Sequence, residues 1–267
     1  MSSSNNSAVR FKEPPVTSVS LVVFFEPVEG LMTSHLSSIR EKWRGKYPRV
    51  SERPPLPPRG MGENRLELLP LDEWAFPYTT FYDESRENAV AIQNDRFVQS
   101  WSFAPNEDSD SEAYPGFDSI RSDLEKGFSE FCSLVKAELS IDVIPTGSEC
   151  AYHNHLGVRM PIEQAIAGFA NKWLNVPEAA PTSRAIHGTA TIHLQVPEYA
   201  DECSVALHLH VDDDQEVTLS IRSTYSVEPD DEEEQGSLGG INIAHEQLIN
   251  SFIEYTSQQM QERWGRI

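Results

Sequence analysis

Apolar and polar positions along this chain follow two rhythms, and the switches between them predict its elements. From Val16 to Phe25 the residues alternate and then become a run of Leu, Val and Phe, predicting a strand that enters a core. Leu36, Ile39, Trp43 and Tyr47 mark one face of a helix whose other face carries Arg40, Glu41, Lys42 and Arg44. Thr33 or Ser34 is placed to cap it, and Pro48 to stop it. Pro54, Pro55, Pro57 and Pro58 then make a stiff, polyproline-like connector. Residues 60–88 carry aromatic side chains at irregular spacing, among them Trp74, Phe76, Tyr78, Phe81 and Tyr82, and read as a loop with short strands.

At the centre, Ala89-Val90-Ala91-Ile92 and Phe97-Val98-Gln99-Ser100-Trp101 flank the polar Gln93-Asn94-Asp95-Arg96, as paired strands or one long strand through the core. Buried charges there need partners. Strict alternation would put Asp95 and Arg96 on opposite faces, each paired with another segment. After the turn residues Tyr114-Pro115-Gly116-Phe117, helical spacing of Ile120, Leu124, Phe128, Phe131, Leu134, Val135 and Leu139 gives the clearest helix.

Residues 145–149 read as a short turn, and residues 149–156 as a strand. Ile162, Ile166, Phe169, Trp173 and Leu174 follow as a shorter helix. Alternation over 188–196, 204–211 and 216–225, with a turn at 212–215, predicts an antiparallel meander with one dry and one wet face. An acidic loop over 228–240 ends in Gly239-Gly240. One final helix then carries Leu248, Ile249, Phe252, Ile253, Tyr255, Met260 and Trp264. The pattern is α+β: antiparallel sheets with helices packed on one face, in two similar sheet-plus-helix halves. The expected division is a disordered tail over 1–13, a half over 14–147 and a half over 148–267, or one continuous domain.

Charge narrows the classes of partner. The chain has 267 residues, 42 acidic against 21 basic side chains and a net charge of −21. That balance disfavours direct nucleic-acid binding and anionic membranes, and suits a basic protein partner, with self-association as a further class. Much of the acid excess lies in two runs, at 106–112 and 228–234. Cys132, Cys150 and Cys203 have no CxxC spacing, and no leader or long apolar span precedes them, so the expectation is a reduced, cytoplasmic protein. Cys132 reads as a small core hydrophobe.

Histidine is the residue type that most invites chemistry. His208 and His210 share one strand face, and His193 on a neighbouring strand would complete a trio for zinc or another transition metal. The same face is the wet one, where histidines also stand without a metal. Tyr152-His153-Asn154-His155 offers a second pair, and His245 stands at the expected start of the last helix. Phosphate-loop, dinucleotide, nucleophile-elbow and H-E-x-x-H patterns are absent from the sequence, and no cofactor is implied.

Further blocks run the length of the chain. Pro14-Pro15-Val16 precedes the first strand; Trp43 and Lys46-Tyr47-Pro48 lead to Glu52-Arg53-Pro54-Pro55-Leu56-Pro57-Pro58; the centre reads Gln-x-x-Asp-Arg-Phe-x-x-x-Trp, ending at Trp101. Later come Tyr114-Pro115-Gly116-Phe117, Tyr152 with Asn154, and His245 with Phe252, Thr256, Trp264 and Gly265. Together these resemble a sporadically distributed family of uncharacterised bacterial proteins. The resemblance implies a cytosolic bacterial protein with mobile or defence-linked associations, and it carries over no activity; the acidic insertions depart from its pattern.

The leading expectation is a non-enzymatic interaction protein, a subunit or regulator in a bacterial multiprotein or defence-linked system. Its contact surface would come from exposed aromatics such as Trp74 and Phe76, from an open sheet edge, or from the central Asp95, Arg96 and Trp101. The alternatives are a metal-dependent or small-ligand enzyme using His193, His208 and His210, and an acidic mimic of nucleic acid.

Overall fold

The computed structural model describes residues 11–58, 76–103, 114–173, 187–199, 202–226 and 237–267. Among them, strands β1 (Val16–Phe25), β2 (Arg49–Arg53), β3 (Tyr78–Tyr82), β4 (Asn88–Gln93), β5 (Arg96–Ser102), β6 (Pro145–Arg159), β7 (Gly188–Gln195), β8 (Cys203–Val211) and β9 (Glu216–Ser226) form one open antiparallel sheet. Its order is β2-β3-β4-β5-β1-β6-β9-β8-β7. With helices α1 (Ser37–Trp43), α2 (Phe117–Leu139), α3 (Ile162–Ala170), α4 (Ser237–Tyr255) and α5 (Gln258–Arg263) the chain is α+β. It gathers into two compact units, Val19–Cys150 with Tyr225–Asn242, and Met1–Ser18 with Ala151–Thr224 and Ile243–Ile267.

In the unit built on Val19–Cys150, β1 ends in five buried residues because both of its faces are covered. Phe25 faces the rings of Phe128 and Phe131 on α2, whereas Val22 and Phe24 join Ala91, Val98 and the half-buried Tyr78 in a separate cluster. Phe97 lies among Trp43, Phe128 and Phe131 at centroid distances of 6.2, 5.7 and 5.9 Å. The helical face read from the sequence is the one that α2 buries, from Ile120 to Val135. Gly127 belongs to that face for a steric reason: a Cβ there would lie 2.9 Å from the Phe97 ring. α1 is preceded by a single 3-10 turn, Thr33–Leu36, entered through the Met32 N–H donating to His35 Nδ1 at 3.1 Å. Neither Thr33 nor Ser34 is its cap residue.

In the other unit, β8 and β9 both alternate strictly between buried residues and residues that are half-buried or exposed. This is the meander with one dry face. α3 packs on β7 and β8, with the end of the Ile162 side chain lying over Gly188 where a Cβ would stand. Three boundaries differ from the sequence reading. Residues 145–149 begin β6 rather than a turn, and α4 starts at Ser237, so Gly239 and Gly240 are helical. The glycine at 240 permits close packing, since a Cβ there would stand 2.8 Å from Ser148 Oγ. The last helix is broken at Thr256-Ser257, where Thr256 Oγ1 donates to Phe252 O (2.6 Å) and Ser257 Oγ accepts from Met260 N (3.2 Å). Trp173 lies beyond α3 with φ 59°. The tail expected through residue 13 is tied down at its end: Phe11 packs edge-on to Phe252 and Trp264, and Lys12 N–H donates to Gly265 O at 3.2 Å.

Gly127→Ala tests the α2–sheet contact by its sign. Helix propensity alone would stabilise by about 1 kcal/mol, whereas crowding Phe97 costs about 1–3 kcal/mol. The expected outcome is a net loss, read as a lower urea midpoint; a gain would mean that Phe97 does not pack against α2 as described.

Candidate functional site

The central polar stretch is a hairpin turn. β4 and β5 pair through Ile92↔Phe97 and Gln93↔Arg96, leaving Asn94-Asp95 as the connection. Strand alternation therefore does not apply across it, and Asp95 and Arg96 pair with each other, contrary to the sequence expectation. Arg96 Nε donates to Asp95 Oδ1 and Nη2 to Oδ2, both at 2.8 Å, a two-pronged ion pair. Gln93 Nε2 donates to Asp95 Oδ1 and to Leu56 O, each at 3.0 Å, and Gln93 Oε1 accepts from Leu56 N at 2.8 Å. Arg96 Nη2 also reaches Pro57 O at 2.6 Å, and the guanidinium lies 5.5 Å from the Phe24 ring. Gln93, Asp95 and Arg96 are all buried. The group fastens the proline-rich segment to the hairpin, and its charges face protein.

The other expected contact residues divide. Trp101 is buried, its ring 5.4 Å from Tyr114. Phe76 is 7% exposed, so it is core rather than a surface aromatic. Trp74 lies outside the described residues. Within β3, Phe81 is buried against Trp43 and the two tyrosines are half-buried, because β3 lies inside the sheet between β2 and β4.

The histidines do share the wet face, but the register separates them. Thr191 stands opposite His208, Ala206 opposite His193 and Thr189 opposite His210. His208 Nδ1 is bonded to Thr191 Oγ1 at 2.8 Å, and His153 Nδ1 to Ser220 Oγ at 2.6 Å. Among the described residues no three His, Cys, Asp or Glu side chains are grouped to hold a metal. Burial pushes the His153 imidazole below its usual value, and the Arg222 and His208 charges act in the same direction. His155 and Arg159 both pair with Glu216, holding its carboxyl below the usual range. Burial raises the Cys132 thiol to about 11, too high for a thiolate nucleophile. His245 lies inside α4, 5.8 Å from the Tyr152 ring.

What the sequence reading did not place is the open edge. β7 ends the strand order, and no described strand pairs with its outer side. Thr189, Thr191, His193 and Gln195 point outward along it, with no Lys, Pro or acidic residue between Gly188 and Gln195. Acid collects at both ends: Gly188 pairs with Val211 beside Asp212, Asp213 and Asp214, and Gln195 leads to Glu198 and Glu202. β2, at the opposite end of the order, is guarded by Arg49, Glu52, Arg53 and the prolines after it.

No protein-family model matches the chain, and no curated protein is similar to it. No helix among the described residues is long and apolar enough to cross a membrane.

Two outcomes follow for these groups. Arg96→Met strands a buried carboxylate and is expected to cost about 3–5 kcal/mol of stability. Adding Asp95→Asn should recover part of that loss; strictly additive losses in a double-mutant cycle would refute the pairing. For His153, whose folded value is lowered, the unfolded chain takes up the proton first. Stability is therefore full above the ordinary histidine range and falls as pH drops through about 6.5. His153→Asn should shrink the difference in urea midpoint between pH 7.5 and pH 5.5, and an unchanged difference would contradict the assignment.

Proposed function

We propose that this chain is a non-enzymatic interaction protein, a cytoplasmic subunit or regulator of a bacterial multiprotein or defence-linked system, that receives an extended basic segment of another protein along β7. The observation that carries the reading is the unguarded edge of β7. An extended segment added there completes the backbone hydrogen bonds that an edge strand leaves open. Eight residues of strand give about 24 Å of edge, and the acidic clusters at its two ends favour cationic side chains on the incoming segment. The net charge of −21 acts against a second copy as occupant and in favour of a basic partner. Membership of the bacterial family that the Gln-x-x-Asp-Arg-Phe-x-x-x-Trp pattern resembles belongs to the same proposal. The buried Asp95–Arg96 pair and Trp101 serve the scaffold in this reading.

The test begins with untagged protein isolated at low salt and native mass spectrometry of any stoichiometric partner, followed by hydrogen exchange of that complex. Amides of residues 188–195 are expected to slow at least about tenfold on binding. Thr191→Lys with His193→Lys, both at exposed positions, should abolish binding while leaving the urea midpoint within about 0.5 kcal/mol. Protection confined to other segments, or binding that survives the lysine pair, would defeat the proposal.

A further inference from the structure

Within the Val19–Cys150 unit, the residues that follow β2, Pro54-Pro55-Leu56-Pro57-Pro58, cross from the end of that strand to the β4–β5 turn. Covalent chemistry restricts this backbone before any packing is counted. The four proline rings hold φ near about −65°. Pro54, Leu56 and Pro57 each precede a further proline, which disfavours the helical region and leaves the extended, polyproline one. The body of the protein then grips the segment at its middle. Leu56 N donates to Gln93 Oε1 at 2.8 Å, Leu56 O accepts from Gln93 Nε2 at 3.0 Å, and Pro57 O accepts from Arg96 Nη2 at 2.6 Å.

Prolines have no N–H, and the one backbone donor in the segment, that of Leu56, is already taken by Gln93. The segment therefore cannot pair as a strand with another chain, and a partner can read it only through its side chains. All five residues are exposed, and Leu56 keeps 42% of its surface open. A connector with no role beyond covering the sheet would gain by turning Leu56 inward. At three residues per turn and about 3.1 Å per residue, Pro54 and Pro57 stand on one edge of the segment and Pro55 and Pro58 on the next. Each edge carries its two rings about 9 Å apart.

We propose that this segment is a second recognition surface, read by a folded protein partner through a groove lined with tryptophan and tyrosine side chains. Flat aromatic rings pack on pyrrolidine rings, and successive pockets in such a groove accept the repeated proline edge. Docking loses little conformational entropy, because the prolines and the Gln93 and Arg96 contacts have ordered the segment beforehand. The net charge of −21 requires a groove whose rim is neutral or basic. This surface is chemically distinct from the edge of β7: β7 offers backbone donors and acceptors to an extended chain, whereas the proline segment offers rings, and no donor, to a groove.

An isotope-labelled WW domain of net positive charge, titrated with the full chain and followed by NMR, tests the proposal. The indole N–H of the groove tryptophan is expected to shift saturably. Pro54→Ala with Pro57→Ala, both at exposed positions, should weaken binding at least about tenfold with the urea midpoint of the chain unchanged. Thr191→Lys with His193→Lys, on β7, should leave the titration as it is. No saturable shift, shifts confined to residues outside the groove, binding that survives the alanine pair, or binding lost with the β7 lysine pair would each overturn the proposal.

Discussion

The fork of Arg96 on Asp95 fixes the part of the chain on which the rest is built. A two-residue hairpin connection ordinarily needs positive φ in its turn, so that the turn's twist matches that of the strands. Among the described residues the non-glycine positions with positive φ are Arg86, Ser140, Lys172, Trp173 and Gln215, and Asn94 and Asp95 are not among them. The turn is held from outside instead. Its carbonyls accept from Val28 N at 2.8 Å and Phe25 N at 3.1 Å, and the Asp95 carboxylate accepts from Gln93 and Arg96, whose side chains in turn bind Leu56 and Pro57. A slip of one residue in this register would move Phe97 away from Trp43 and α2 and expose it on the opposite face. The buried pair adds little net stability by itself; it selects one register.

Charge is distributed unevenly over this scaffold. The lysines gather where α1 and α2 leave a cavity, whereas the outward positions of β7 are uncharged and the acid stands at its ends. An uncharged strand between acidic ends can approach another backbone closely and still discriminate by charge.

Much of the fold was legible because periodicity reports burial directly. The apolar end of β1, the Ile120-to-Val135 face of α2 and the alternation of β8 and β9 each appear as read. The misreadings share a cause, which is that local pattern does not encode tertiary contact. Gly239-Gly240 looks like a loop end until Ser148 and Tyr225 are seen to need the space above Gly240. Asp95 and Arg96 look like strand neighbours until the turn is known. The histidines do share a face, but a metal trio would need His193 opposite His208, and the register sets Thr191 there instead. The edge at β7 was illegible because strand order depends on pairings between segments far apart in the chain.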